Sequence, residues 1–273
     1  MGAPDKYVVI GNPVAHSKSP DIHARFAQQT GQHLVYERLL APLDGFAPCV
    51  HDFINAGGKG ANVTVPFKLD AYILATQLTE RAKAAGAVNT LKFDNGHILG
   101  DNTDGIGLVT DIVRNAQVPL RGKRVLLLGA GGAARGVMLP ILREEPTELV
   151  IANRTLSKAQ ELAIQFSSPA KTVQASDFAA INGAFDVIIN GTSASLSDDV
   201  PPVPAGAFGS HTLAYDMMYS KGSTPFLRFA SSCGASIRDG LGMLVEQAAE
   251  SFYVWRGVRP ETAPVYDELR SLL

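Results

Sequence analysis

Short apolar runs closed by glycine, proline or asparagine alternate along the chain with longer stretches whose apolar positions recur every three or four residues, a pattern of strands interleaved with amphipathic helices. In the first third, Tyr7 to Ile10, Leu34 to Leu40 and Ala61 to Val65 read as strands. The helices between them begin near Pro20, where Ser19 is placed as a cap, and run from about Leu43 to Ala56. A βαβαβ order predicts a parallel sheet with crossover helices. Pro66 closes the third strand and Phe67-Lys68 opens the next helix, which puts Lys68 at the carboxyl end of a strand, where ligands of open α/β sheets bind. Helical stretches continue to about Ala85. Ala87 to Phe93 and His97 to Leu99 then flank Asp94-Asn95-Gly96, a hairpin turn. Gly100-Asp101-Asn102-Thr103-Asp104-Gly105 begins an amphipathic helix predicted to run to about Gln117.

The second half repeats the alternation with more fully apolar strands. Val125 to Leu128, Leu149 to Ala152 and Asp186 to Asn190 have the character of parallel strands covered on both faces, the last emptying into Gly191-Thr192-Ser193. A helix over 157–166 lies between the second and third of these. Leu213 to Met217 and Ser236 to Arg238 are further strands, and Leu241 to Arg256 is a helix with Leu244, Ala248, Phe252 and Trp255 on one stripe. Pro260 to Leu273 adds a last short helix. The pattern predicts two α/β domains: residues 1–104 with 241–273, built on a βαβ series with a mainly parallel sheet, and residues 105–240, a Rossmann-like doubly wound domain, after which the C-terminal helices return to the first.

Between Lys123 and Arg135 a buried strand, a glycine turn and a helix start follow in direct succession. Gly129, Gly131 and Ala134 occupy the G-x-G-x-x-G/A positions: a tight turn, a close approach to pyrophosphate, and room for the helix against the strand. Phosphates belong at such a helix N-terminus, where unpaired N–H groups and the dipole favour an anion. The second strand ends at Asn153, 24 positions after Gly129, where an NAD-binding domain places an acid for the ribose 2′-hydroxyl. Here the chain has Asn153-Arg154-Thr155-Leu156-Ser157-Lys158. An acid would repel a 2′-phosphate, whereas Arg154 and Lys158 attract it, so the expected cofactor is NADP.

Composition narrows the rest. The 273 residues suffice for two domains with sizeable cores, and 46% hydrophobic with 18% charged residues is ordinary for a globular protein. A formal net charge of −2, with basic residues scattered, gives no reason to expect a nucleic acid or an anionic membrane as partner. Cys49 and Cys233 stand far apart in no C-x-x-C arrangement, and His16, His23, His33, His51, His97 and His211 show no metal-ligand spacing. The start of the chain has no basic segment ahead of a long apolar run, and no stretch approaches membrane-spanning length, so a cytoplasmic enzyme is expected, as a monomer or homodimer.

A nicotinamide enzyme needs a group that gives or takes a proton while hydride moves. Lys68 after Asn62-Val63-Thr64-Val65-Pro66, and Asp104 in the loop at 100–105, are the best charged candidates at strand ends. A first helical turn is unfavourable for a cation, which favours a functional purpose for Lys68; for Asp104 a plain helix-start acid is the competing reading. A carboxylate stabilises an ammonium while desolvation destabilises it, so the sequence leaves their ionisation open. Ser17, Ser19, Thr64, Asn89, Tyr219 and Gln247 are neutral hydrogen-bonding residues, several at turns or strand ends, suited to a polyhydroxylated small acid.

The segments GNPVAHSKSPDIH, GANVTVPFK, AGAVNT, GDNTDG, GAGGAARG, NRTLSKA, YDMMYSKGSTPFL and DGLGMLVEQAAESF, in this order across nearly the whole chain, resemble the shikimate dehydrogenase family of the bacterial NADP-dependent type. The resemblance implies two α/β domains with the active site in the cleft between them, and reversible NADPH-dependent reduction of the C3 ketone of 3-dehydroshikimate to shikimate, on the route to chorismate and the aromatic amino acids. By motif, Lys68 and Asp104 match the catalytic pair. Ser17, Ser19 and Tyr219 match carboxylate-side contacts; Thr64, Asn89 and Gln247 match ligands of the ring hydroxyls. Gly129, Ala130, Gly131, Gly132 and Ala133 resemble the pyrophosphate turn, and Asn153, Arg154, Thr155 and Lys158 the 2′-phosphate clamp, with lysine where many relatives carry arginine. Met217 and Gly240 match nicotinamide-side contacts, and Glu80 lies in a helix that relatives bring near the cofactor. Two other readings compete. A related quinate/shikimate dehydrogenase that accepts NAD carries an acid where this chain has Asn153-Arg154-Thr155, and a non-catalytic NADP-binding sensor has no need of both Lys68 and Asp104.

Overall fold

The computed structural model describes residues 2–169, 172–192, 194 and 199–273; Ser193 lies outside them. The chain divides into two compact units, Met1–Gly107 with Val245–Leu269, and Leu108–Leu244 with Arg270–Leu273. Among the described residues no helix is long and apolar enough to cross a membrane.

In the first unit, β1 (Asp5–Gly11), β2 (Leu34–Leu40), β3 (Gly58–Val63), β4 (Gln77–Leu78), β5 (Thr90–Asp94) and β6 (His97–Asp101) form one sheet in the order β2-β1-β3-β5-β6-β4. The first three strands are parallel, as the βαβαβ pattern requires, with α1 (Ser19–Thr30) and α2 (Phe46–Asn55) as crossovers. β5 runs antiparallel to both β3 and β6. The reason for the second pairing is the Asn95-Gly96 turn: both residues take positive φ, 48° and 80°, the geometry of a tight two-residue hairpin. After β3 come α3 (Lys68–Leu74) and α4 (Glu80–Ala85). Val8, Ile10, Ala61, Val63, Phe67 and Leu91 pack one core cluster of this unit. Elsewhere in it, Gly60 admits the indole of Trp255, whose Nε1 donates to the Leu91 carbonyl at 2.9 Å; a Cβ at position 60 would lie 2.6 Å from that nitrogen.

Ser19 is the first residue of α1, not its cap. Lys18 holds the cap position without a side-chain bond, while the Ser17 hydroxyl accepts the Ser19 N–H at 3.3 Å. Four residues on, His23 is buried among Tyr36, Phe26, Phe252 and Trp255, stacked on Tyr36 with ring centroids 4.2 Å apart, and among the described residues neither ring nitrogen finds a partner in hydrogen-bond geometry. Burial pulls its imidazole from 6.5 down to about 3, against a weaker opposing influence of the nearby Asn62. The folded protein therefore keeps His23 neutral where the unfolded chain protonates it. Its destabilising effect is absent above about pH 7 and grows as pH falls from 6.5 towards 3, by about 1.4 kcal/mol per pH unit. His23→Phe is expected to flatten the fall of Tm between pH 7 and 5; parallel curves for the variant and the parent would contradict this.

In the second unit, β7 (Arg124–Leu128), β8 (Glu148–Ala152), β9 (Val173–Ser176), β10 (Val187–Asn190), β11 (Leu213–Asp216) and β12 (Ser236–Asp239) form an all-parallel sheet in the order β12-β11-β10-β7-β8-β9. This is the doubly wound order, reversing between β7 and β10. Alternate residues explain the unbroken apolar strands. Val125, Leu127, Leu149 and Ile151 face one core with Val137 and Ile141 of α6 (Gly132–Arg143) and Leu162 of α7 (Leu156–Phe166). Leu126, Leu128, Val150 and Ile188 face the other, with Phe226 and Leu227 of α8 (Pro225–Ser232).

One element departs from expectation. The helix predicted to reach Gln117 stops as α5 (Asp104–Thr110) and continues as a π-helical turn over Asp111–Asn115, in which Ala116 N–H bonds the Asp111 carbonyl at 2.9 Å. The widened turn coincides with a fully buried carboxylate: Asp111 takes Arg238 Nε and Nη2 at 2.7 and 2.6 Å and the Tyr215 hydroxyl at 2.8 Å. The last residues, Arg270–Leu273, fall within the second compact unit, and Arg270, in α10 (Ala263–Ser271), donates to Asp239 at 2.8 Å. The long helix α9 (Leu241–Arg256) has the predicted bounds.

Candidate active site

Two sites assemble, one in each unit. In the first, β3 ends at Val63, Thr64-Val65-Pro66 turns the chain, and α3 begins at Lys68, so the ammonium stands at the carboxyl end of the sheet. Asp104 begins α5 directly after the loop that follows β6. Lys68 Nζ lies 2.6 Å from Asp104 Oδ2, and their side chains are 34% and 17% exposed. This leaves the lysine open enough to meet a substrate and the carboxylate enclosed. The other carboxylate oxygen, Oδ1, accepts Asn89 Nδ2 at 2.8 Å. Asn89 Nδ2 also reaches Gln247 Oε1 at 3.4 Å, so four of the residues singled out from the sequence meet.

The loop carrying Asp104 is braced from beneath by a charged cluster that the sequence does not disclose. Arg81 forks onto Asp101, with Nε to Oδ1 at 2.7 Å and Nη2 to Oδ2 at 2.6 Å, and its third nitrogen holds Glu250 at 2.8 Å. Burial alone would raise the Asp101 carboxyl, but the hydrogen bonds and charge of Arg81, with Thr79 and the Asn102 N–H, hold it below the ordinary carboxylate range. The Asp101 carbonyl accepts the Asn89 N–H at 3.0 Å, which ties the brace to the site. The motif GDNTDG contains Asp101 and is the available signal; that its partners are Arg81 and Glu250 follows from the fold.

Ser17 and Ser19 bond each other at 3.2 Å just beyond the carboxyl end of β1, and Thr64 packs its methyl group against Gly11 there, where a Cβ would approach to 2.4 Å. Among the described residues no hydrogen bond joins either serine, or Thr64, to the Lys68–Asp104 pair. Glu80 opens α4 after the Thr79 cap, in the same unit.

The second site is a cavity of about 650 Å³ at the carboxyl ends of β7, β8 and β10. Gly129, Ala130, Gly131, Gly132 and Ala133 line it, with Asn153, Arg154 and Thr155 ahead of α7 and Lys158 in its first turn, and Phe178, Gly191, Thr192, Ala194, Asp199, Val200, Pro201 and Pro202 complete its walls. Gly129 has φ 103°, and a Cβ there would sit 3.1 Å from the Gly191 carbonyl. A side chain at this position would strain the turn and press on the next strand end. Helix α6 starts at Gly132 with no side-chain cap and no acid in its first turn, and the positions of Gly131 and Gly132 face open space. Arg154 and Lys158 are exposed and form no ion pair with any described residue. A bare helix N-terminus beside two exposed cations is a donor set for phosphates at two places, which fits a phosphorylated dinucleotide. Of the wall residues, Phe178, Asp199 and the two prolines have no sequence signal, since nothing in their spacing points to the glycine turn.

Met217 lies beside Gly191 of the cavity wall and Gly240 beside Met217, and neither lines the cavity. The Met217 sulfur lies 3.1 Å from the Cβ position of Gly191, and a Cβ on Gly240 would meet the Met217 carbonyl at 2.1 Å, so the backbone approach there demands glycine. Tyr219 follows two residues after Met217, its phenol raised by burial and then by the charge of Asp239. Among the described residues no group of three or more His, Cys, Asp or Glu side chains is placed to hold a metal ion.

A doubly wound sheet with a phosphate-ready glycine turn, and a second α/β unit presenting a lysine–carboxylate pair at its strand ends, define a dinucleotide-dependent dehydrogenase. The chain belongs to the shikimate dehydrogenase family. Three family models match it: the shikimate dehydrogenase substrate binding domain over residues 9–91, shikimate/quinate 5-dehydrogenase over 111–197, and the shikimate 5′-dehydrogenase C-terminal domain over 240–270. The shikimate dehydrogenase (NADP(+)) of Janthinobacterium sp. (strain Marseille) is 68% identical over 98% of both chains. An Ael1 enzyme from Pseudomonas putida is 51% identical with a TM-score of 0.94, over 97% of this chain and 98% of that one. The shikimate 5-dehydrogenase of Thermus thermophilus, solved with NADP(H) and shikimate, is 31% identical with a TM-score of 0.87, over 98% of this chain and all of that one.

Proposed function

We propose that Lys68 and Asp104 are the proton-transfer pair of this enzyme, and that the 2.6 Å contact between them at the carboxyl end of β3 is the observation that carries the assignment. The reaction is the reversible NADPH-dependent reduction of 3-dehydroshikimate to shikimate, in the biosynthesis of chorismate and the aromatic amino acids. When bound, NADPH supplies the hydride that the C3 carbonyl carbon accepts. Lys68 gives a proton to the C3 oxygen as its charge develops, and takes one back in the reverse direction. Asp104 Oδ2 holds the ammonium in place and balances its charge; Asn89 occupies Oδ1.

Around this pair, Thr64, Asn89 and Gln247 would take the ring hydroxyls and Ser17, Ser19 and Tyr219 the carboxylate. The first helical turn at Gly132 and the turn from Gly129 would hold the pyrophosphate, and Arg154 and Lys158, with Asn153 and Thr155, the 2′-phosphate. Met217 and Gly240 belong to the nicotinamide side in this reading, and Glu80 to the cofactor side. The substrate-binding part is residues 1–104 with 241–273 and the NADP-binding part residues 105–240; the working form is a cytoplasmic monomer or homodimer. Asp104→Asn keeps the shape and the Asn89 contact region but removes the charge. It is expected to lower kcat about a hundredfold with little change in Tm. An unchanged kcat would remove Asp104 from the mechanism.

A further inference from the structure

Behind the Lys68–Asp104 pair lies a lattice of buried hydroxyls that the reaction does not touch. Ser251 of α9 is fully buried, and its Oγ lies 2.8 Å from Thr90 Oγ1 and 3.1 Å from Thr103 Oγ1. It donates to the Gln247 carbonyl at 3.0 Å and accepts Asn62 Nδ2 at 3.0 Å, which leaves one lone pair to accept a proton from one of the two threonine hydroxyls. The two threonines converge on a single atom. Asn89 Oδ1 accepts the Thr103 N–H at 2.9 Å and lies 2.9 Å from the Thr90 hydroxyl and 3.2 Å from the Thr103 hydroxyl, so of the two threonine protons one goes to Asn89 and the other to Ser251.

That convergence settles which way the Asn89 amide points. The Thr103 N–H is a backbone donor with no freedom to reverse, so the atom facing it must be the amide oxygen. The amide nitrogen then faces Asp104 Oδ1 and donates to it at 2.8 Å. An oxygen that accepts an amide N–H there is not the one carrying a proton. Oδ2, 2.6 Å from Lys68 Nζ, is left as the oxygen in the proton path.

We propose that Ser251 is a positioning residue for proton transfer, acting through Thr90 and Thr103 on Asn89 and through Asn89 on the Asp104 carboxylate. The proposal rests on the reading of Lys68 and Asp104 as the proton-transfer pair. Loss of register at a reacting pair costs far more in rate than in binding, because the geometry matters most in the transition state; misplacement by about 1 Å is worth up to about a hundredfold. Ser251 contributes without meeting the substrate: the lattice fixes an oxygen, the oxygen fixes an amide, and the amide fixes a carboxylate.

The test compares Ser251→Ala, Thr103→Val and Thr103→Ser in the full chain, with kcat and KM for shikimate and NADP⁺ measured beside Tm. Ser251→Ala and Thr103→Val are each expected to lower kcat about tenfold while both KM values stay within about twofold. Thr103→Ser, which keeps the hydroxyl, is expected to recover most of the loss. Unchanged kcat in a folded Ser251→Ala would overturn the proposal, as would equal rates for Thr103→Val and Thr103→Ser should Ser251→Ala not fold. Lys68→Ala in the same series separates the two levels. Full turnover in that variant defeats the proton-pair reading itself, whereas an inactive Lys68→Ala beside a fully active Ser251→Ala defeats the role of Ser251 alone.

Discussion

Replacing Lys68 by alanine is expected to lower kcat by about a thousandfold and to leave the Kd for NADP⁺ within about twofold. The ammonium is a third exposed and paired to one carboxylate oxygen at 2.6 Å, so it is both accessible and aimed. Removing it takes away the proton donor for the C3 oxygen and leaves Asp104 with its Asn89 bond and an unmatched charge. Lys68 lies in the first unit, and the residues lining the glycine-turn cavity all lie in the second, which is why the cofactor's affinity is expected to be nearly untouched. Kinetics at saturating substrate with a separate calorimetric titration of NADP⁺ measure both quantities. Loss of cofactor binding in step with turnover would refute the assigned role.

Replacing Arg154 and Lys158 together by alanine is expected to raise KM for NADP⁺ about a hundredfold and to leave KM for NAD⁺ nearly unchanged. Both cations line the cavity beside Asn153 and Thr155 and neither is committed to another described charge. Their attraction for a 2′-phosphate is therefore not offset by a pair among the described residues. Arg154→Ala alone should cost more than Lys158→Ala, since the guanidinium forks onto two phosphate oxygens and the ammonium acts as a point charge. An equal rise for NADP⁺ and NAD⁺ would show that the pair supports the cavity wall, not the 2′-phosphate.

The elements that the sequence discloses are those whose local pattern and final burial agree. Strand β7 covers the predicted Val125 to Leu128, all four buried, and α9 is observed at the predicted Leu241–Arg256 with Ala248, Phe252 and Trp255 buried. The glycine turn is legible for a different reason, since the chemistry of a tight, cap-free helix start is written in consecutive residues. Strand β9 is not foreseen: Val-Gln-Ala-Ser carries little apolar signal, and the segment is a strand only because β8 offers it an edge. The same holds for the two-residue β4 and for α8, whose helical stripe is short. The π-helical turn at Asp111 is written in no local spacing, because its carboxylate is met by Arg238, 127 residues away.

The site divides along the same line. Lys68 stands out because a cation in a first helical turn is locally unfavourable, whereas Asp104, an ordinary helix-start acid by position, is picked out by its place in the 100–105 motif. The lattice that orients them does not, because Thr90 and Ser251 meet across 161 residues and each, taken alone, is an ordinary hydroxyl. Arg81 and Asp101 are likewise brought together by β6 and α4.

The measurement that tests the account most directly is the absorbance of reduced nicotinamide after mixing the purified protein with shikimate and either NADP⁺ or NAD⁺. The account predicts rapid reduction of NADP⁺, with kcat/KM for NAD⁺ lower by about a hundredfold or more. Equal rates with the two cofactors, or no reduction of NADP⁺ by a protein that binds it, would contradict it.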